Sequence, residues 1–447
     1  MRVTKSEEYV KVCSLYGAGF YYIPGTDTCI KIGGFVRAEW NHNAAGSFST
    51  HVNGANANFN RASDTLVSRA RTILTVDVRS QTEYGTLRSY MRAGWQWTTN
   101  TDTVGGSGTA VYSDRHFIQF AGFTFGKTQS FFDTPDISDM TYQTEFTRDS
   151  TGGSGTPVFA YTAMLGNGVT ATLSIEDYTE RRANVVGVTA ASFAPGVDNA
   201  ALNHGNETPD IVGNLRVDQA WGSAQVSGAL HLNQATYYGI QPAGTVTAHP
   251  DDKWGWAVGA GILLKMPWDP KDTFAVAGSY AEGATTYVVN TPGAFGARSS
   301  AASLFQDGGV ALAWWDDAYF NNTVARGELE LPTVWNVQAG FQHYWTNSLR
   351  SSIWGSYMKY EADSAAINTV ICAARGFANN CTDSKVWQVG SRTIWNPVTN
   401  LDIGLEVMYT KVETAFDGGF ALAAPVGNVP LPHRIQDNDL WSGILRI

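Results

Sequence analysis

Residues 69–97 have the sequence RARTILTVDVRSQTEYGTLRSYMRAGWQW, and two stretches of alternating polarity in this segment decide the fold. In both stretches apolar side chains occupy one phase, at Leu74, Val76, Val78, Leu87, Met91, Ala93, Trp95 and Trp97. The opposite phase holds Arg69, Arg71, Thr75, Asp77, Arg79, Arg88, Arg92 and Gln96. Because successive residues of a strand point to opposite faces, the pattern predicts two β-strands, each with one apolar and one polar face. The short connection Gln81–Tyr84 predicts that the two strands pair as a hairpin.

The same alternation recurs along the 447-residue chain and predicts sixteen strands. They lie near residues 29–40, 68–80, 85–97, 115–125, 127–132, 156–165, 169–178, 209–221, 223–238, 254–264, 272–287, 333–345, 349–361, 384–395, 401–411 and 439–447. Connections after the odd-numbered strands are long, and those after the even-numbered strands are short. This sorting of loop lengths is typical of a transmembrane β-barrel with short periplasmic turns and long extracellular loops. The sequence therefore predicts an all-β fold, a sixteen-stranded antiparallel barrel with both ends of the chain on the periplasmic side.

Two connections in this layout need separate mention. Gly126 is interpreted as the tight turn between the fourth and fifth strands. Gly308–Phe320 also has the pattern of a strand, but a further wall strand would break the alternation of loop lengths. We therefore expect Gly308–Phe320 to lie inside the sixth long loop. We expect residues 1–28 to be an N-terminal periplasmic segment and residues 29–447 to form a single barrel domain.

Composition agrees with a membrane barrel. No run of 18 apolar residues occurs, which excludes a transmembrane helix, whereas the alternating strands of a barrel cancel in any hydropathy window. Aromatic residues cluster near predicted strand ends, as expected for girdles at the two bilayer interfaces, at Trp95, Trp97, Trp254, Trp256, Tyr287, Trp335, Trp345, Trp354, Trp387, Trp395 and Tyr409. The alternative is the core of a soluble β-sandwich. The segment Met1–Lys5 is not followed by an apolar stretch, so no signal peptide is predicted and export is inferred.

Basic residues of the first three strands fall on one phase. Since Arg facing lipid at the bilayer midplane costs about 2–4 kcal/mol, this phase must face the lumen. A sixteen-stranded barrel is too wide for side chains to fill, so its lumen holds water. The predicted pore-lining basic residues are Lys31, Arg37, Arg69, Arg71, Arg79, Arg88 and Arg92.

The third long loop, about residues 133–155, is acidic. Its carboxylates are Asp133, Asp136, Asp139, Glu145 and Asp149. If the loop folds into the barrel, these charges oppose the basic residues of the first three strands and create a transverse field at the narrowest point. Alternatively, an acidic surface loop binds divalent cations between lipids or has no role. The basic residues of the first three strands favour anions, while the acidic loop and the net charge of −10 favour cations. We expect a weak cation preference overall.

Four cysteines form two local pairs, which predicts the disulfides Cys13–Cys29 and Cys372–Cys381 in an oxidising compartment, free thiols being the alternative. The cysteine spacing does not match a zinc site, and the GxSxG, HExxH and P-loop motifs do not occur. We therefore expect a protein that is not an enzyme, with no catalytic residue, metal or cofactor. A nucleic-acid partner is not expected, because Lys/Arg-rich runs are missing from an acidic chain. Asp316–Asp317 is interpreted as an exposed pair in a loop, the alternative being a contribution to a cation site.

The segments EYVKVC (residues 8–13) and YGAGFYYIPGTDTCIKIGG (residues 16–34) resemble the porins of alphaproteobacteria, of the Brucella/Rhizobium type. The resemblance implies a homotrimer of sixteen-stranded barrels in the outer membrane of a Gram-negative bacterium, each pore narrowed by the third loop. It implies lipopolysaccharide and further copies of the chain as partners. It also implies pore-lining roles for Arg37, Arg71 and Arg92 and a constriction role for Asp133–Glu145. This chain departs from the family in ending on the aliphatic Ile447 instead of an aromatic residue.

The sequence therefore predicts a porin through which small hydrophilic solutes and ions diffuse passively. A competing hypothesis is a substrate-selective channel, although most aromatic residues fall on the outward phase. A surface or adhesive β-barrel that does not conduct would also fit the strand pattern. A soluble β-sandwich enzyme is less in keeping with the loop lengths.

Overall fold

The computed structural model describes residues 11–43, 65–99, 107–142, 151, 155–187, 202–238, 248–289, 301–306, 309–321, 327–362, 383–414, 418–421 and 432–447. Sixteen long strands dominate this part of the chain. They are β1 Cys29–His42, β2 Leu66–Thr82, β3 Gly85–Thr99, β4 Ser107–Phe120, β5 Phe123–Thr128, β6 Thr156–Gly166, β7 Val169–Glu176, β8 Asp210–Gln219, β9 Gly222–Asn233, β10 Lys253–Lys265, β11 Thr273–Glu282, β12 Thr333–Thr346, β13 Leu349–Glu361, β14 Ser384–Trp395, β15 Ile403–Thr414 and β16 Asn438–Arg446. Among the described residues, no helix is long and apolar enough to cross a bilayer.

Each strand pairs in antiparallel fashion with the next, and the last strand pairs with the first. The closing register runs from Glu39 opposite Arg446 to His42 opposite Gly443. The backbones of Ala38 and Ile447 add two further hydrogen bonds of 2.9 Å at the seam. Closure pairs both edges of each of these sixteen strands, which a barrel within lipid requires. The predicted sixteen-stranded antiparallel barrel is confirmed.

The two faces of the wall differ in polarity. Apolar residues on the outward phase are exposed, as at Val36 (76 %) and Leu173 (63 %), whereas Gln388 and Thr410 on the inward phase are fully buried. Exposed tryptophans mark the outer surface near strand ends, at Trp95, Trp97, Trp254, Trp256, Trp345, Trp395 and Trp441. Trp354 and Tyr287, expected in the same girdles, are instead buried inside the molecule.

The turn between β4 and β5 lies at Ala121–Gly122, so its prediction at Gly126 was wrong. Both turn residues have positive φ, 48° and 86°, as a two-residue hairpin turn requires. Gly126 lies within β5, where an added Cβ would be 2.3 Å from the carbonyl oxygen of His116. The glycine is thus needed for close strand approach. An alanine in a positive-φ turn gives no sequence signal, which is why this turn was misplaced.

The segment around residues 309–320 lies outside the barrel wall, as predicted for a part of the loop between β11 and β12. Gly309–Trp314 belongs to a separate four-stranded sheet with Ala301–Gln306, Gly418–Ala421 and Pro432–Ile435. Ala318–Phe320 pairs in parallel with Val185–Gly187 from the β7–β8 connection. Segments of three long loops therefore form two small sheets outside the barrel wall, at one end of the barrel.

A short hairpin precedes β1. Tyr21–Tyr22 pairs with Cys29 and Ile30, and the predicted Cys13–Cys29 disulfide is present. The bonded cysteines and Phe20 are buried together. Tyr16 donates a hydrogen bond of 3.4 Å to Gln81 beside the short β2–β3 turn, which places the hairpin at the end of the barrel that carries the short turns. Cys372 and Cys381 lie outside the described residues.

Candidate functional site

Residues 129–142, which follow β5, run inside the barrel along its inner wall. The carbonyl oxygen of Phe131 accepts hydrogen bonds from Asn214 of β8 (2.6 Å) and Gln225 of β9 (3.2 Å). Further along, the carbonyl oxygen of Pro135 lies so close to Gly261 of β10 that an added Cβ would be 2.3 Å away. The third loop therefore begins its inward course against β8–β10.

The second half of this loop packs against β11–β15. Ile137 and Met140 form an apolar cluster with Ala275, Trp354 and Met408. Gly340 leaves room for Met140, since an added Cβ would be 2.7 Å from its Sδ atom. The inward fold expected of the third loop is thus observed for residues 129–142, and it covers the wall opposite to β1–β3.

The end of the described loop is bound by a carboxylate of the wall. Glu406 of β15 accepts hydrogen bonds from the Thr141 hydroxyl (2.7 Å) and from the Tyr142 amide (2.6 Å). The Tyr142 ring lies 3.7 Å from the guanidinium carbon of Arg446 and 4.8 Å from that of Arg392. Arg446 also donates to the Tyr142 carbonyl. These contacts were not predicted, because each joins residues far apart in the sequence.

The seven basic residues predicted to line the pore all lie on the inward phase of β1–β3. Cross-strand register places Arg37 opposite Arg71 and Arg79 opposite Arg88. Arg92 lies opposite Thr75. We call these seven residues, together with Arg446 of the adjoining β16, the basic wall.

Three of the described carboxylates lie within the basic wall. Asp77 accepts bidentate hydrogen bonds from Arg79 and Arg88, at 2.8–3.1 Å. Glu39 accepts from Arg446 at 2.6 Å. Asp114, from β4, has its Oδ2 atom 3.4 Å from the Nε atom of Arg92. Among the residues that the structure describes here, the eight basic side chains of this wall therefore outnumber these three carboxylates.

The family model of the Porin subfamily matches residues 3–444. The chain belongs to the Porin subfamily. It is 27% identical to Porin Omp2b of Brucella canis over 279 residues, which is 57% of this chain and 71% of that protein. Porin Omp2b of Brucella abortus is 28% identical over the same shares. In fold, the chain is similar to the outer membrane channel DcaP of Acinetobacter baumannii, with a TM-score of 0.58 and 16% identity over 95% of this chain and 98% of that one.

The resemblance to Brucella-type porins is thus confirmed. The protein is a porin of the outer membrane of a Gram-negative bacterium. Membership in a family of channels agrees with the expectation that the chain is not an enzyme. Among the described residues of this porin, no group of three or more His, Cys, Asp or Glu side chains could hold a metal ion.

The acidic residues of the third loop do not act as one group. Asp133 forms a buried ion pair with Arg181 and accepts two hydrogen bonds from Thr151, so its charge is compensated away from the basic wall. Asp136 and Asp139 line a cavity of about 480 Å³, which Arg216 of β8 also lines. Glu145 and Asp149 lie outside the described residues. The structure therefore does not bring the described carboxylates of the loop directly against the basic wall.

A buried polar network joins the long loops of this porin at the opposite end from the short turns. His231 of β9 contacts Asp210 of β8 (Nδ1–Oδ1, 2.8 Å) and Asp317 (Nε2–Oδ2, 3.6 Å). Asp317 also accepts hydrogen bonds from the amides of Ala183 (2.6 Å) and Thr285 (2.7 Å). The Asp317 carboxylate therefore connects the β7–β8 loop, the β11–β12 loop and the barrel wall.

The neighbouring Asp316 is fully buried as well, so the interpretation of Asp316–Asp317 as an exposed pair was wrong. Its carboxylate accepts a hydrogen bond of 2.7 Å from Tyr319. Burial raises the pKa of both carboxyl groups above the usual range. Periodicity in this loop could not indicate the burial, because the partners come from three distant segments.

Proposed function

We propose that this porin passes small hydrophilic solutes and ions by passive diffusion between the basic wall and the third loop, with a preference for anions. The observation that supports the proposal is the eight-to-three excess of basic over acidic side chains that the described residues show on this wall, which residues 129–142 leave uncovered. Charges in a confined, partly dehydrated lumen act more strongly than in bulk water. We therefore expect the local excess, which lies along the solute path, to outweigh the net charge of −10 of the whole chain.

This selectivity differs from the weak cation preference that we expected from the sequence. The difference follows from Asp133, whose ion pair with Arg181 removes it from the balance of charges along the solute path. The local charge also favours pore-lining roles for Arg37 and Arg92, with the third loop as the constriction. Arg71 is buried and donates to Gln96, so it would act on solutes through its charge and not by direct contact.

We further propose that the chain assembles with further copies as a homotrimer in a membrane containing lipopolysaccharide. His116 of β4 lies opposite Lys127 of β5 on the outward phase of the wall. Because a lysine facing lipid near the midplane costs about 2–4 kcal/mol, this region is better suited to contact with another subunit than with acyl chains. Residues 11–28 would then lie on the periplasmic side, as the N-terminal segment was predicted to do.

Planar-bilayer recordings on the purified protein test the proposal. We expect stepwise ohmic conductance. In a KCl gradient we expect a reversal potential between zero and the equilibrium potential of chloride. Replacement of Arg37 and Arg71 by Gln should move the reversal potential toward the equilibrium potential of potassium. Lys385→Gln is the matched control, because Lys385 is an exposed β14 residue on the outward phase. Absence of conductance would refute the channel, and a potassium-side potential in the unmodified protein would refute the anion preference.

A further inference from the structure

The basic wall contains aromatic rings that face the lumen. Phe35 of β1, Tyr90 of β3 and Phe117 of β4 lie on the inward phase, in register with Ile73, Asp77 and Tyr90 respectively. The rings of Tyr90 and Phe117 are stacked, with centroids 5.1 Å apart and an angle of 25° between their planes. In addition to the aromatic residues on the outward phase, the wall therefore has aromatic residues that face the lumen.

Each of these rings has a guanidinium group beside it. The guanidinium carbon of Arg37 lies 5.0 Å from the Phe35 centroid, and that of Arg92 lies 5.9 Å from it. Arg88 lies 5.0 Å from the Tyr90 centroid and 5.3 Å from that of Phe117. The side chains of Arg88 and Arg92 are 26% and 34% exposed, so a solute in the lumen can reach both.

The series continues to the end of the barrel that carries the short turns. There the N-terminal hairpin adds Phe20, whose centroid lies 4.9 Å from the guanidinium carbon of Arg79 and 5.7 Å from the Lys31 ammonium nitrogen. Arg79 also lies 5.5 Å from the Tyr16 centroid. The disulfide between Cys13 and Cys29 holds this hairpin against β1. Cationic groups and aromatic faces thus follow one another from Phe35 to Tyr16.

We propose that this arginine–aromatic track is a binding subsite for planar carboxylates, such as aromatic acids. A carboxylate pairs with a guanidinium through charge-assisted hydrogen bonds, for which Arg92 is the candidate in this track. The N–H groups of Arg88 already donate to Asp77 and Gln119, so Arg88 offers the flat face on which an aromatic ring stacks beside Tyr90 and Phe117. A chloride ion or an aliphatic acid gains only the charge interaction. The inference rests on the proposed anion-preferring channel and adds the class of solute that the channel retains during passage.

Benzoate and cyclohexanecarboxylate are suitable probes, since they have the same charge and similar size but only benzoate is planar and aromatic. Each is added to the conducting protein in a planar bilayer in KCl, and the concentration that halves the chloride current is measured. We expect benzoate to act at a concentration about fivefold to tenfold lower than cyclohexanecarboxylate, the size expected from one stacking contact. The ratio does not depend on the absolute conductance of a variant.

The double variant Tyr90→Leu, Phe117→Leu should bring this ratio to within about twofold, because it removes the stacked pair. Tyr344→Leu is the matched control. Tyr344 is an inward-phase tyrosine of β12 whose centroid lies 5.8 Å from the Arg350 guanidinium carbon, but it is remote from β1–β4. It should keep the ratio of the unmodified protein.

Equal action of the two acids on the unmodified protein would overturn the track as an aromatic subsite. Loss of the ratio in Tyr344→Leu, with the double variant unaffected, would place the subsite on the opposite wall and also overturn it. Both results require chloride current and so leave the channel function standing. A protein without chloride current fails at the proposed function instead, before the acids are compared.

Discussion

Arg446 lies face-on to Tyr142, with its guanidinium carbon 3.7 Å from the ring centroid, and its Nε atom donates to Glu39 at 2.6 Å. One side chain of the last strand therefore connects the first strand to the end of the described third loop. The relationship ties the seam of the barrel to the element that narrows its lumen.

Replacing Arg446 by Ala removes the ring contact and leaves the buried Glu39 with Arg37 at 3.8 Å. We expect a local loss of about 2–4 kcal/mol, from a lost charged hydrogen bond and a lost cation–π contact. The third loop should then fluctuate, giving a noisier and larger single-channel current. Arg446→Lys is the control, since it keeps the charge beside Glu39 without the planar stacking group. Current traces of the Ala variant that match those of the unmodified protein would show that the loop does not depend on Arg446.

Gly404 of β15 is predicted to be intolerant of a side chain. An added Cβ would be 2.0 Å from the Tyr142 hydroxyl oxygen. Gly404→Ala should displace the end of the loop and cost about 1–3 kcal/mol, the usual range for overpacking. Thermal unfolding in detergent measures the loss, and conductance measures the displacement. Gly443→Ala on β16, where the nearest atom is 3.5 Å away, should be close to neutral. If the two variants behave alike, steric contact with Tyr142 is not the reason for Gly404.

His231→Leu tests the network that joins the long loops. Asp210 and Asp317 would lose a shared buried partner, which costs on the order of 3–5 kcal/mol when one side of a buried pair is removed. We expect the loops between β7 and β8 and between β11 and β12 to be cut by protease much faster, while the barrel stays intact. His204→Leu is the control, because the His204 side chain is 48% exposed. Unchanged cleavage of the His231 variant would argue that different contacts hold the loops.

We expect the stability of the protein to depend on pH in the acid range because of Asp272, which lies in the short turn between β10 and β11. Burial alone would raise its pKa, but hydrogen bonds from the Tyr344 amide, His343 and Trp268 reverse this, and the pKa is lowered from its ordinary value. A lowered carboxyl pKa contributes stability that is present above about pH 4 and is lost as the pH falls through the folded-state pKa.

The Trp268 indole donates to Asp272 at 2.9 Å and reports this titration. Its NMR signal, assigned with Trp268→Phe, should shift with a midpoint below about pH 4, the ordinary range of a free aspartate. Asp272→Asn should remove the shift. A midpoint above the ordinary aspartate range would contradict the predicted direction.

Much of the barrel could be predicted from the sequence because each wall strand carries its own local pattern. The strands from β9 to β15 agree with prediction to within five residues, with the largest differences at the ends of β9 and β11. The inward phase of Arg37 and Arg92 follows from alternation alone. Non-local features could not be predicted in this way. Burial of Asp316 and the position of Tyr142 depend on segments that meet only after closure, and the lumen-facing Tyr90 and Phe117 are hidden among the outward aromatics.

The contacts of Glu406 with Thr141 and Tyr142 span 265 and 264 residues of sequence. A contact of such long range carries a high loop-closure entropy unless the strands between its ends have already formed. The end of the third loop at Thr141 and Tyr142, although it precedes most of the barrel in the chain, therefore takes its final position only when β15 is in place. We therefore expect the last strands of the wall and the end of the constriction loop to be completed together, so that a barrel whose last strands are not yet in place also lacks the fixed end of its constriction.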